Sequence, residues 1–234
     1  MADERDALFS VHCAETTVEQ ATIRENYGTS VIRHMDALGI LDPRTVLAHC
    51  VHCDDEELEI LARTGAVVAH NPVSNLKLAS GFARVPEMLE RGIHVTLGTD
   101  GAISGNDIDM WLALRLAATL HKAVSGRADV VTTRQALDMA TINGAKALGI
   151  GGLTGSLEVG KAADFQVLDV SRPHAVPMFD PMTHAVYSAS RSDVRHVFVD
   201  GEWRVREREL VVFDMRETLD EVRALVPAIK ASIA

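Results

Sequence analysis

Apolar and polar positions along the first 150 residues repeat one order: a short β-rich run, a turn, then a longer amphipathic stretch. That order predicts βα units around a parallel sheet. "ALFSVH" reads as the first strand, followed by helical material over about 17–38 with a break near Gly28. "TVLAHC" is the second strand. "DDEELEILARTG" follows as a helix, with Asp54 or Asp55 as N-cap, glutamates in the first turn where the helix dipole favours them, and Gly65 at its end. "AVVAH" is the third strand, "NPVSNLKLASG" a loop, and Val85 to Arg91 a helix with Pro86 in its first turn. "IHVTLG" is the fourth strand. It runs through "TDGAISGND" into a long helix whose apolar stripe is Ile108, Trp111, Leu112, Leu116 and Leu120, and "TTRQALDMATINGAKALG" is a further helix.

From about Gly152 the texture changes. "GSLEVGKAADFQVLDV" and "VRHVFVDGEWRV" read as short alternating strands, the second with an Asp200-Gly201 hairpin turn. The chain therefore divides into a βα region over 1–150, a small β domain over 151–213 and an amphipathic C-terminal helix over 214–234.

Composition narrows the function classes. With 234 residues, 47% hydrophobic and 24% charged, the chain can bury a sizeable core. A net charge of −10 argues against a nucleic-acid partner, because binding phosphates relies on Lys and Arg. No stretch reaches the roughly 20 apolar residues of a membrane span, and "MADERDALFS" lacks the pattern of a signal peptide, so a cytoplasmic protein is expected. Cys13, Cys50 and Cys53 are odd in number, which suits reduced thiols better than a disulfide framework.

The chemistry gathers at the strand ends. Each of the four strands finishes at its carboxyl end in a polar residue that a plain core does not require: His12, His49, His70 and Asp100. Barrels of βα units carry their active sites at that end. Imidazole nitrogens and a carboxylate converging there can hold a divalent metal such as zinc, which lowers the pKa of a bound water. Glu15, one turn beyond His12, can face the same pocket and deliver a proton to a substrate ring nitrogen.

"HCAET", "LAHCVH", "HNPVSNLKLASG" and "VTLGTDGAISGNDIDMW", in this order, resemble the amidohydrolase superfamily, and within it the aminohydrolase branch of 5-methylthioadenosine and S-adenosylhomocysteine deaminases. "GSLEVGKAADFQVLD" resembles the C-terminal β domain of the same enzymes. The resemblance implies the second half of a TIM-like (β/α)8 hydrolase barrel, strands five to eight, with a small C-terminal β domain. It assigns His12 and Asp100 to the metal, Glu15 to protonation of the substrate, and His49 to the water or departing group. Asp100 also takes the proton of that water, and His70 and Asn75 line the substrate pocket. One divalent ion is implied, zinc first with iron or manganese as alternatives, acting on a purine nucleoside with a 6-amino group.

In one respect the sequence departs from the pattern: the family opens its barrel with H-x-H on strand one, and no H-x-H occurs here. The chain is then a fragment, misstarted at Met1, or works with a complementary N-terminal half on another polypeptide. A homo-oligomer is the other association expected of open sheet edges. Three further readings compete: a non-catalytic half-barrel remnant or assembly module, an amidohydrolase acting on another aminated or chlorinated heterocycle such as guanine or a triazine, and a redox or zinc-knuckle role for the C-x-x-C of Cys50 and Cys53.

Overall fold

The computed structural model describes residues 7–232. Four parallel strands, β1 (Phe9–Cys13), β2 (Thr45–His49), β3 (Val67–His70) and β4 (Val95–Leu97), lie side by side in sequence order. Parallel neighbours need helical crossovers. These are α1 (Thr17–Tyr27) and α2 (Val31–Ala37) after β1, α3 (Asp55–Thr64) after β2, and α4 (Pro72–Lys77) and α5 (Val85–Glu90) after β3. Beyond β4 come α6 (Ala102–Gly105), α7 (Met110–Ser125), α8 (Thr133–Ala140) and α9 (Ile142–Ala147). The second sheet is an antiparallel meander of β5 (Phe165–Leu168), β6 (Val194–Val199), β7 (Glu202–Arg206) and β8 (Glu209–Leu210), with α10 (Pro181–Tyr187) inserted between β5 and β6. The chain closes with α11 (Met215–Ser232), none of whose residues is buried. The last two residues of the helix expected over 214–234 lie outside the described residues.

Local chemistry explains where the helices start and stop. Asp54 caps α3: its carboxylate accepts from the Glu57 amide at 3.0 Å while Glu57 accepts from the Asp54 amide at 2.8 Å. Such a reciprocal cap is worth about 1 kcal/mol. Gly65 ends the helix at φ 75, a left-handed conformation that costs glycine nothing. Leu58 and Leu61, one turn apart, are fully buried and join Leu47, Val68 and Met88 in the core between sheet and helices. Each such leucine contributes about 2 kcal/mol of transfer free energy.

Several expectations change in detail. "NPVSNLKLASG" is not all loop, because Pro72 starts the short helix α4, and "TDGAISGND" contains α6. The helix expected over 132–149 breaks at Thr141 (φ −132, ψ −97) into α8 and α9. The long helix begins at Met110, leaving Ile108 exposed, and its buried face is Ala113, Leu114, Ala117, Ala118 and His121 rather than the stripe of large residues. Alanines there allow close packing on α8 and α10, so the smaller side chains, not the larger, mark the inner face. "GSLEV" forms no strand. The two outer edges of the parallel sheet, on β1 and β4, pair with no strand among the described residues, and Leu8 and Phe9 at the β1 edge are each 38% exposed. No described helix is long and apolar enough to cross a membrane.

Candidate active site

Strand alternation and four left-handed residues build the site at the carboxyl end of the parallel sheet. Successive side chains on a strand face opposite ways. Cys13 accordingly enters the helix-side core, its thiol 4.0 Å from the Met35 sulfur, and His12 takes the other face. His49 is paired in register with Cys13, which alone would send it to the core face. Its backbone instead turns left-handed, with φ 77 at His49 and 46 at Cys50, and its ring stacks on His12 at 5.3 Å between centroids. Ala14 (φ 51) and Asp100 (φ 60) make similar turns after β1 and β4. Positive φ in non-glycine residues is a cost that recurs at functional loops.

The side chains then converge. His12, His49 and Asp100 each offer a ligand atom, and the three atoms lie within 4.8 Å of one another. The His49 Nε2 is 3.9 Å from Asp100 and 3.7 Å from Glu15. These gaps are too long for hydrogen bonds. His49 is fully buried, and its Nε2 has no hydrogen-bond partner. A buried, unpaired nitrogen between two carboxylates leaves room for an ion or a water, and the donor set of imidazole and carboxylate suits zinc, iron or manganese. Burial pushes the Asp100 carboxyl up, but the nearby Ser74 hydroxyl, the Gly101 amide at 2.6 Å and the His49 ring outweigh it and hold the group below its ordinary value. Asp100 is thus kept as a carboxylate, the form that binds metal.

Glu15 is held from two sides. Its backbone amide donates to the Glu19 carboxylate at 2.7 Å, as does that of Ala14 at 3.0 Å, and its own carboxylate accepts from the Ser80 hydroxyl at 3.3 Å. Glu19 and Ser80 are supporting residues that the strand-end pattern does not single out. The Thr16-x-x-Glu19 spacing, a helix-start signature, carries the signal for the first; none marks Ser80. His70 and Asn75 are buried, 1% and 2% exposed. Asn75 Oδ1 is 2.8 Å from His49 Nδ1, and His70 Nε2 is 3.2 Å from His121 Nε2, another residue outside the expected set.

The C-x-x-C does not have the surroundings of a redox pair. All three cysteines are free and buried, and contact with the Cys13 and Cys53 thiols together with burial pushes the Cys50 thiol well up. A reactive thiol needs the opposite shift.

Residues 1–204 match the Amidohydrolase family. The chain belongs to this family. It is 48% identical over 229 residues to a 5-methylthioadenosine/S-adenosylhomocysteine deaminase of Dictyoglomus thermophilum, covering 98% of this chain and 52% of that protein. To a 5'-deoxyadenosine deaminase of Methanosarcina acetivorans it is 43% identical, over 93% of this chain and 50% of the relative. Among solved structures, an adenosine deaminase from Xanthomonas campestris with bound zinc superposes with a TM-score of 0.96 at 34% identity, covering 98% of this chain and 52% of that one. The chain spans about half the length of the curated relatives it matches. Its parallel sheet and flanking helices are accordingly four βα units of an amidohydrolase barrel.

Proposed function

We propose that this chain supplies one half of the active site of a metal-dependent hydrolase that deaminates a 6-aminopurine nucleoside, such as 5-methylthioadenosine or S-adenosylhomocysteine. The observation that carries the reading is the convergence of the His12, His49 and Asp100 donor atoms within 4.8 Å, with Glu15 at 3.7 Å from His49. The names of the relatives support the substrate class. His12 and Asp100 would hold a divalent ion, zinc first, which would supply a water acidified toward neutral pH. Asp100 would take a proton from the attacking water and pass it to the leaving amine, His49 Nε2 would hold that water by accepting from it, and Glu15 would protonate the ring nitrogen beside the attacked carbon, so that the C–N bond breaks and ammonia leaves. His70 and Asn75 form the floor of the substrate pocket.

Three protein ligands plus a water make a catalytic zinc site. Here His12 is exposed, and the β1 edge beside it is open. Further barrel strands carrying their own metal ligands would complete the site. By itself the chain binds zinc weakly, turns over little substrate and associates through its open edges. The three free thiols suit a reducing compartment, the cytoplasm.

The test joins this chain to the unmatched half of the D. thermophilum relative and follows ammonia release from 5-methylthioadenosine together with metal content. Glu15→Gln should leave metal content nearly intact and lower turnover by a factor on the order of 100 or more, the scale of lost acid–base catalysis. Undiminished turnover in that variant removes Glu15 as the acid. An inactive wild-type chimera that folds and holds zinc favours the reading of the chain as an assembly module.

A further inference from the structure

We infer that Asn75 is a positioning residue that fixes the hydrogen of His49 on Nδ1, and so leaves Nε2 as the nitrogen that works at the site. Asn75 Oδ1 lies 2.8 Å from His49 Nδ1, with the two residues 2% and 0% exposed. An amide oxygen only accepts, so Nδ1 must donate to it. In the neutral ring Nε2 then carries the lone pair, and it is this atom that is buried, unpartnered and set between Glu15 and Asp100. Without such a partner the two carboxylates would draw the hydrogen to Nε2, where it would point into the space left for the ion and its water.

The same segment positions the acid. The Asn75 amide donates to the Asn71 carbonyl at 3.0 Å, and the Ser80 amide donates to the Asn75 carbonyl at 2.9 Å. The backbone of Asn75 is therefore held at both ends, and Ser80, fixed to it, donates its hydroxyl to Glu15. One short stretch running from α4 to Ser80 thus touches both His49 and Glu15. The left-handed backbone at His49 removes the strand's own control over the ring, and the Asn75 bond supplies the orientation instead.

The consequence for catalysis rests on the hydrolase reading, but the tautomer is a property of the chain and is read without metal or substrate. The chain is labelled with 15N-histidine, freed of metal with a chelator, and studied in mildly alkaline buffer by two-bond proton–nitrogen correlation, with the His49 signals assigned from an H49Q variant. Wild type should show hydrogen on Nδ1. N75D should keep it there, since a carboxylate oxygen accepts the same hydrogen, while N75L should move most of the population to Nε2–H. Zinc affinity should fall by on the order of tenfold in N75L and recover in N75D, the scale of losing an outer partner of a metal-site histidine. Nε2–H in wild type, or N75L retaining Nδ1–H, overturns the inference. Should N75L fail to fold by circular dichroism, wild type and N75D decide it. An inactive chimera with the Nδ1–H tautomer intact counts against the deaminase reading and leaves the role of Asn75 standing.

Discussion

Two histidine pairs sit at the carboxyl end of one sheet and have little in common. His12 and His49, on β1 and β2, stack at 5.3 Å beside Glu15 and Asp100, with one ring exposed to solvent. His70 on β3 and His121 on α7 meet nitrogen to nitrogen at 3.2 Å, each no more than 2% exposed. Burial pushes His121 down to about 4, and burial with the neighbouring His121 and His49 rings holds His70 well below its ordinary value. The second pair is neutral, and one ring donates to the other. A polar residue at a strand end is therefore not by itself a sign of chemistry. The neighbouring carboxylates and the exposed His12 ring separate the working pair from the pair that clamps α7 to the sheet.

The largest effect that would break this distinction is on stability. His70→Ala removes a fully packed ring and leaves His121 without its partner, so unfolding in urea should show a loss of about 3 kcal/mol, combining the cavity and the orphaned nitrogen. A loss below about 1 kcal/mol, the size of an ordinary substitution, would show that the clamp contributes little.

Acid is the next test, and its sign follows from the same burial. An unfolded histidine takes up a proton near pH 6.5, whereas folded His121 resists until about pH 4. Between those values the unfolded state binds more protons, so stability is full above pH 6.5 and declines as the pH falls toward 4. Each pH unit in that window costs about 1.4 kcal/mol for one fully affected group, or about 2 kcal/mol by pH 5. Urea midpoints at pH 7 and pH 5 measure it. His121→Leu should reduce the difference, the buried His70 keeping a share of its own; an unchanged slope in that variant would assign the acid sensitivity elsewhere.

The sequence made some of this contrast legible and hid the rest. Strand order, a cap at Asp54 or Asp55 and the four strand-end residues follow from periodicity and turn chemistry, because those signals are local. The register of His49 opposite Cys13 is not local: only the left-handed turn at His49 brings its ring to His12, and no residue type announces that turn. His121 looked like one more position on a long helix. The large residues of α7 suggested one inner face and the alanines made another, because the partners α8 and α10 fill the space that side-chain volume would otherwise take. α10 itself starts at Pro181 within a stretch whose alternation pointed to strands on either side.

The smallest stability effect is the one that most sharpens the comparison. His12 ends a strand at the open edge of the sheet, its ring exposed and touching chiefly His49. Truncating an exposed side chain away from caps and buried networks changes stability by no more than about 0.5 kcal/mol. His12→Ala should therefore unfold in urea almost as wild type does, in contrast to His70→Ala on the same sheet. Zinc should distinguish the two variants in the opposite order. His12 is one of three donors lying within 4.8 Å and one of the two residues assigned to the ion, so losing it should lower the chain's weak zinc affinity further in competition with a chromophoric chelator. His70 lies outside that donor set, so zinc competition by folded His70→Ala should follow wild type. The measurement is the pair of curves, urea unfolding and chelator competition, for both variants. A His12→Ala chain that is strongly destabilised, or that retains wild-type zinc affinity, would make the two histidine pairs alike and remove the basis for locating the chemistry at β1 and β2.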